Sequence, residues 1–208
     1  MTSLPIVWPE QADIGAMLQG PQPPPHWAKA ALEARGKLVP LDRMAADTLG
    51  GVGLAVLIQP RALSPDEFAA LDRWVRKGGR LLLFADPMLD VHSSFPLGDK
   101  RRPQAIVMVD PLLAHWGLEL EYDEAQSGDE RTVVVDGIAV PVKLPGTLRV
   151  SGKGCRSSGE RLVAACRIGK GRAVIVADAD LFEEPADSAQ GPRVSALNGL
   201  LQLVDNLP

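Results

Sequence analysis

The chain has 208 residues, 46% apolar and 23% charged, and its 22 basic against 26 acidic side chains give a net charge of −4. This composition excludes a disordered tail, a collagen-like repeat and a coiled coil, and the acidic balance argues against a dedicated nucleic-acid binder. The length predicts a single α/β domain over residues 1–208, burying about 70% of its unfolded surface without a metal or disulfide staple. No stretch approaches the roughly 18 consecutive apolar residues of a membrane span.

Leu4 to Trp8 reads as a strand that starts almost at the first residue, with neither the basic leader nor the apolar run of a signal peptide before it. Either the domain opens on a core strand, or an anchor lies upstream of this chain. Four prolines between Pro21 and Pro25 then make a stiff connection. Trp27 to Arg35 suits a helix stopped by Gly36, Lys37 to Leu41 a short strand, and Leu54 to Ile58 a strand covered on both faces. Ser64 and Glu67 form a capping box with Pro65 at the first helical position. Phe68, Leu71, Trp74 and Val75 make its apolar stripe, Gly78-Gly79 ends it, and Leu81 to Ala85 follows as a second covered strand. Strand, capped helix and strand within about 30 residues constitute a βαβ crossover.

Asp110-Pro111 opens another helix that closes at Gly117, and Leu118 to Tyr122 alternates as a strand with one wet face. From there the texture becomes β-rich, over about residues 119–171. Asp136-Gly137 joins Thr132–Val135 to Ile138–Val142 in a hairpin, and Gly169-Lys170-Gly171 joins Leu162–Ile168 to Arg172–Ala177. Ala173 to Ala177 is apolar enough to return to the central sheet, and Leu197, Leu200, Leu201 and Val204 mark a final helix. The fold class expected is a three-layer α/β sandwich with a mainly parallel central sheet, flavodoxin-like, and a β-rich hairpin region. Cys155 and Cys166 do not make a disulfide framework, and free buried thiols are favoured over a bond between them.

In an open parallel sheet, ligands bind beyond the carboxyl ends of the strands. That rule selects Asp86 after the second strand, and Asp178 and Asp180 after Ala177, with Asp90 nearby. Such an oxygen-rich group suits a hard cation such as Mg²⁺. The favoured alternative is that these carboxylates cap the turns that follow, so neither metal nor cofactor is expected. The long polar segment from Pro87 to Pro103 carries His92, Lys100, Arg101 and Arg102, suited to a partner or an anionic ligand or simply to a solvated basic turn. No nucleophile elbow, phosphate loop or zinc-ligand spacing is present.

Three stretches in order, Leu71–Pro87, Asp110–Gly117 and Gly169–Asp180, resemble the soluble domain of auxiliary proteins from gliding-motility-type ABC transport systems. The resemblance covers about residues 54–182. It implies a class I glutamine amidotransferase-like fold without the catalytic Cys-His pair. It also implies a non-enzymatic role beside permease or ATP-binding subunits, with the domain held outside the cytoplasm by membrane helices. This sequence contains no such helix. An anchor preceding Met1 would place the domain on the periplasmic or extracytoplasmic side, and without one it is cytoplasmic. No catalytic residue is carried over. The rival readings are a degenerate hydrolase using Asp86, His92 and Asp178, and an anion sensor using Arg101 and Arg102.

Overall fold

A computed structural model describes residues 1–10, 24–183 and 190–207. The framework is a five-stranded sheet whose first two members, β1 (Leu54–Ile58) and β2 (Arg80–Phe84), are joined by helix α3 (Pro65–Arg76). Two short helices precede β1: α1 (Trp27–Glu33) and α2 (Ala46–Leu49). Ser64 starts α3 as the sequence predicts. Its hydroxyl accepts from the Glu67 amide at 3.3 Å, and Glu67 Oε2 accepts from the Ser64 amide at 2.9 Å. Glu67 is also bonded by Arg61 and by the Met44 amide, and the Arg61 guanidinium leads in holding its carboxyl down to about 2. One buried carboxylate thereby ties the helix start to the loop before α2.

After β2 come α4 (Asp110–His115), β3 (Leu118–Glu121), β4 (Arg131–Val135), β5 (Ile138–Val142) and β6 (Thr147–Val150). They are followed by β7 (Cys155–Ser158), β8 (Val163–Ile168), β9 (Gly171–Val176), a 3₁₀ turn at Asp180–Phe182 and α5 (Gln190–Asn206). The strand order in the main sheet is β1-β2-β9-β8-β7. β1, β2 and β9 are parallel, whereas β8 and β7 add on antiparallel. The sheet is therefore mixed, which corrects the expectation of a mainly parallel one. The cause is local: a turn as short as Gly169-Lys170 can join only antiparallel neighbours. Glycine is required where β9 begins, because a Cβ on Gly171 would sit 2.0 Å from the Val75 carbonyl oxygen.

The remaining strands form two small ribbons, β3 with β6 and β4 with β5. Asp136 and Gly137 turn the β4–β5 hairpin with φ of 48° and 86°, the pair of positive values a two-residue primed turn needs. Helix α5 packs on β2, β9, β5 and α1. Arg80 donates to Asp205 of α5 at 2.6 Å, and its register partner Arg172 reaches the Asp205 carbonyl at 2.7 Å. The alternation of β2 places Leu82 and Phe84 on that same face. Leu81 to Phe84 are fully buried, so both faces of the strand are covered.

Three further expectations change. Leu4–Trp8 is not a strand; the N-terminal segment meets β1 through one parallel bridge, Thr2 to Ile58. Pro5 and Pro9 withhold two ladder donors, and the Ile6 amide turns back to the Leu4 carbonyl at 2.8 Å. Lys37–Leu41 pairs with no strand among the described residues, and Pro40 lies within it. Cys155 and Cys166 are bonded to each other rather than free. They stand directly opposite in the β7–β8 register with Cα atoms 4.0 Å apart, so the ladder itself brings the sulfurs together. The proline run at 21–25 lies largely outside the described residues.

Candidate functional site

Parallel register generates the site. Phe84 pairs with Val176, and the Ala85 amide extends the ladder to the Val176 carbonyl at 2.8 Å. Two residues beyond each strand stand Asp86 and Asp178, level with each other at the carboxyl end of the sheet. The chain then turns tightly, the Asp180 amide donating to Asp178 Oδ1 at 2.9 Å, and returns Asp180 to the same place. One carboxylate oxygen from each of the three lies within 4.8 Å of the others, and none of these residues is more than 2% exposed.

The three carboxyls differ in what they bond. Asp86 accepts from the Met88 amide at 2.7 Å and the Ala179 amide at 2.9 Å. Asp178 accepts from the Asp180 amide and, at 3.1 Å, from the Lys143 amide. Both thus cap turns through backbone donors. Asp180 differs: both of its oxygens are buried and, among the described residues, have no hydrogen-bond partner. Burial pushes Asp86 up to about 6. Burial, then the charges of Asp86 and Asp180, pushes Asp178 well above the usual carboxylate range. Burial, followed by Asp86 and Glu183, raises Asp180 to about 8, against a partial offset from Lys143.

Three residues that no motif marks hold this rim in place. Gln59, at φ 42°, donates from Nε2 to the Asp86 carbonyl at 3.1 Å and accepts the Asp86 amide at 2.9 Å. It thereby fastens the end of β1 to the end of β2. Lys143 Nζ bonds Asp90 at 3.0 Å, which places the exposed Asp90 beside the rim. Arg193, buried on α5, donates to the carbonyls of Asp180 and Leu181 and to the Glu130 carboxylate. Hydropathy gives no sign of Arg193 in the sequence, because its burial depends on the packing of α5.

The basic candidates lie elsewhere. His92 is exposed on the 87–103 loop, and Lys100 is exposed as well. Arg101 bonds Asp99 at 2.7 Å and stacks 4.0 Å over the Phe95 ring. Arg102 donates to the Phe95 carbonyl. Lys100, Arg101 and Arg102 border a groove of about 460 Å³ shared with Thr2, Trp8 and Glu10. Among the described residues, four of the seven exposed large hydrophobic side chains, Met88, Leu97, Ile106 and Met108, fall on the segment between β2 and α4.

Residues 22–138 match the family model described as an ABC-type uncharacterized transport system, more than half of the chain. The chain belongs to this family of transport-system auxiliary proteins. No curated protein matches it. Among solved structures, the mmIFT52 N-terminal domain is similar with a TM-score of 0.59 at 16% identity, over 85% of this chain and 88% of that one. The cytoplasmic protein STM1381 from Salmonella typhimurium LT2 gives a TM-score of 0.51 at 13% identity, over 77% and 75%. The exo-beta-1,4-mannosidase Op5Man5 from Opitutaceae bacterium strain TAV5 matches 73% of this chain at a TM-score of 0.49 and 18% identity, and the match covers 26% of that enzyme. At such identities the likeness is one of fold alone. Family membership makes the chain an auxiliary component of an ABC-type transport system, and among the described residues no helix is long and apolar enough to cross a membrane.

Proposed function

We propose that this auxiliary domain works by binding rather than catalysis, docking the permease of its transport system on the segment between β2 and α4, with the ATP-binding subunit held in the same complex. The observation that supports this most is the concentration of exposed apolar side chains there, with Leu97 90% and Ile106 60% exposed. Apolar surface gathered on one segment is a common mark of an interaction site. The rival hydrolase needs a nucleophile and a base at the rim. Both sulfurs are bonded to each other on β7 and β8, His92 is exposed by Glu10, and Asp86 and Asp178 spend oxygens on backbone amides. The anion sensor is weakened likewise, since Arg101 is paired with Asp99 and Arg102 with a carbonyl.

Capture of the system's permease or ATP-binding subunit from a native membrane extract is expected with the parent chain. The double variant Leu97→Asp, Ile106→Asp is expected to lose it, while keeping its melting temperature, because exposed positions change stability by about 0.5 kcal/mol or less. Recovery of neither subunit, or equal recovery with the variant, would count against docking here.

The Cys155–Cys166 bond supports an extracytoplasmic location, where disulfides form and persist. Protein denatured straight from cells is expected to take up a maleimide label at neither cysteine until reductant is added. Reduction is expected to cost about 3 kcal/mol of stability through the short loop it opens. Labelling of both thiols without reductant would place the domain in a reducing compartment.

A further inference from the structure

We infer that Asp86, Asp178 and Asp180 form a binding site for one hard divalent cation, calcium or magnesium. The inference starts from Asp180. The residue is 2% exposed, among the described residues neither carboxyl oxygen has a hydrogen-bond partner, and one of them lies within 4.8 Å of ligand oxygens on both neighbours. A carboxylate buried without a partner is strongly disfavoured, and buried charges in folded proteins are paired or coordinate a metal. Every other buried carboxylate of the region is supplied: Asp86 and Asp178 each accept two backbone amides, and Glu67 accepts Arg61. Among the described residues, Asp180 is the one buried carboxylate left without a partner.

The nearby cations do not fill that place. Lys143 gives its ammonium to Asp90, and Arg193 turns its guanidinium to the Asp180 and Leu181 carbonyls and to Glu130. Around calcium or magnesium, opposed oxygen ligands stand about 4.8 or 4.2 Å apart, twice the usual metal–oxygen distance. The span of the three carboxylates, at most 4.8 Å, matches the calcium limit, and magnesium would need them to draw closer by up to about 0.6 Å. Each oxygen of Asp86 and Asp178 that accepts one amide keeps a second lone pair for a metal. An all-carboxylate donor set favours hard cations over zinc or copper, which prefer nitrogen and sulfur. A doubly charged ion would offset two of the three carboxylate charges, beside the mutually neutralising Lys143–Asp90 pair. The ion would clamp the end of β2 to the turn after β9, whether or not a partner subunit docks on the neighbouring loop.

The test is calorimetric and thermal titration of the chelator-treated full chain with CaCl₂ and with MgCl₂, at constant ionic strength. Saturable one-site binding of at least one ion is expected, with the melting temperature rising by roughly 3–6 °C at ten times the dissociation constant. Asp180→Asn is expected to weaken that binding at least tenfold. No saturable binding of either ion up to about 10 mM, beyond the weak end of natural calcium sites, would overturn the proposal. So would an Asp180→Asn protein that binds as tightly as the parent. Should the variant fail to fold, the parent titration alone decides, since it requires only the unaltered chain.

Discussion

In chelator and at pH 8, Asp180→Asn is expected to be more stable than the parent by roughly 2–4 kcal/mol, while at pH 5 the two differ by about 1 kcal/mol or less. The carboxyl is raised to about 8 from an ordinary 3.8, mainly by burial. Its folded-state pKa thus exceeds its unfolded one, so between those values the native protein holds a proton that the unfolded chain has released. Stability then falls as pH rises. The contribution is fully present below about pH 4 and lost as pH climbs through about 8. Near pH 8 the parent bears a penalty on the order of 5 kcal/mol, at about 1.4 kcal/mol for each pKa unit. Asparagine removes that penalty and leaves a buried amide unpartnered, at a cost of about 1–3 kcal/mol. Asp86, pushed to about 6, and Asp178, also raised by burial, act in the same direction, so the variant keeps a shallower decline above pH 4. Urea unfolding at half-unit pH steps measures both profiles. Parallel profiles for parent and variant would show that Asp180 ionises as freely in the fold as outside it.

The parts of this fold that sequence reveals are those specified within a few residues. Ser64, Pro65 and Glu67 declare the start of α3 because each acts on its own first turn. Asp136-Gly137 declares a hairpin because both positions need positive φ. Even the rim was accessible, since Asp86 and Asp178 follow apolar runs at the places where strands of such sheets end. Pairings across long separations were not. β3 finds β6 through Leu118 opposite Val150, and neither Thr147–Val150 nor Cys155–Ser158 has an apolar pattern that marks it as a strand. Without β7 there is no register to set Cys155 opposite Cys166, which is why the sulfurs read as free thiols. Gln59, Lys143 and Arg193 belong to the same class. Each is an ordinary polar residue in the sequence and gains its role only when β1, the loop after β5 and α5 converge on the ends of β2 and β9. The difference between Asp178 as a cap and Asp180 as an unpartnered carboxyl likewise depends on one donor two positions away, the Asp180 amide, and another 35 positions away, the Lys143 amide.

Phe84→Ala is expected to cost about 3–5 kcal/mol and to weaken the rim without touching any of its carboxylates. Phe84 is the last residue of β2 and has no exposed surface. Its ring meets Phe182 edge to face at 4.6 Å, and Phe182 in turn stacks on Trp27 of α1 at 5.9 Å. Phe182 closes the 3₁₀ turn that begins at Asp180, so the aromatic column is what seats that turn against the sheet. Truncation removes the buried ring, leaves a cavity and forfeits an edge-to-face contact worth about 0.5–1.5 kcal/mol. The freed turn then lets Asp180 reach water, so its carboxyl should titrate closer to its ordinary range and the fall in stability between pH 5 and 8 should flatten. Phe84→Leu keeps most of the volume and is expected to cost about half as much or less. Chemical denaturation gives the first number through a lowered midpoint at unchanged slope, and the pH series gives the second. A loss below about 1 kcal/mol for the alanine variant, or a full loss with an unaltered pH profile, would separate the aromatic column from the acidic rim.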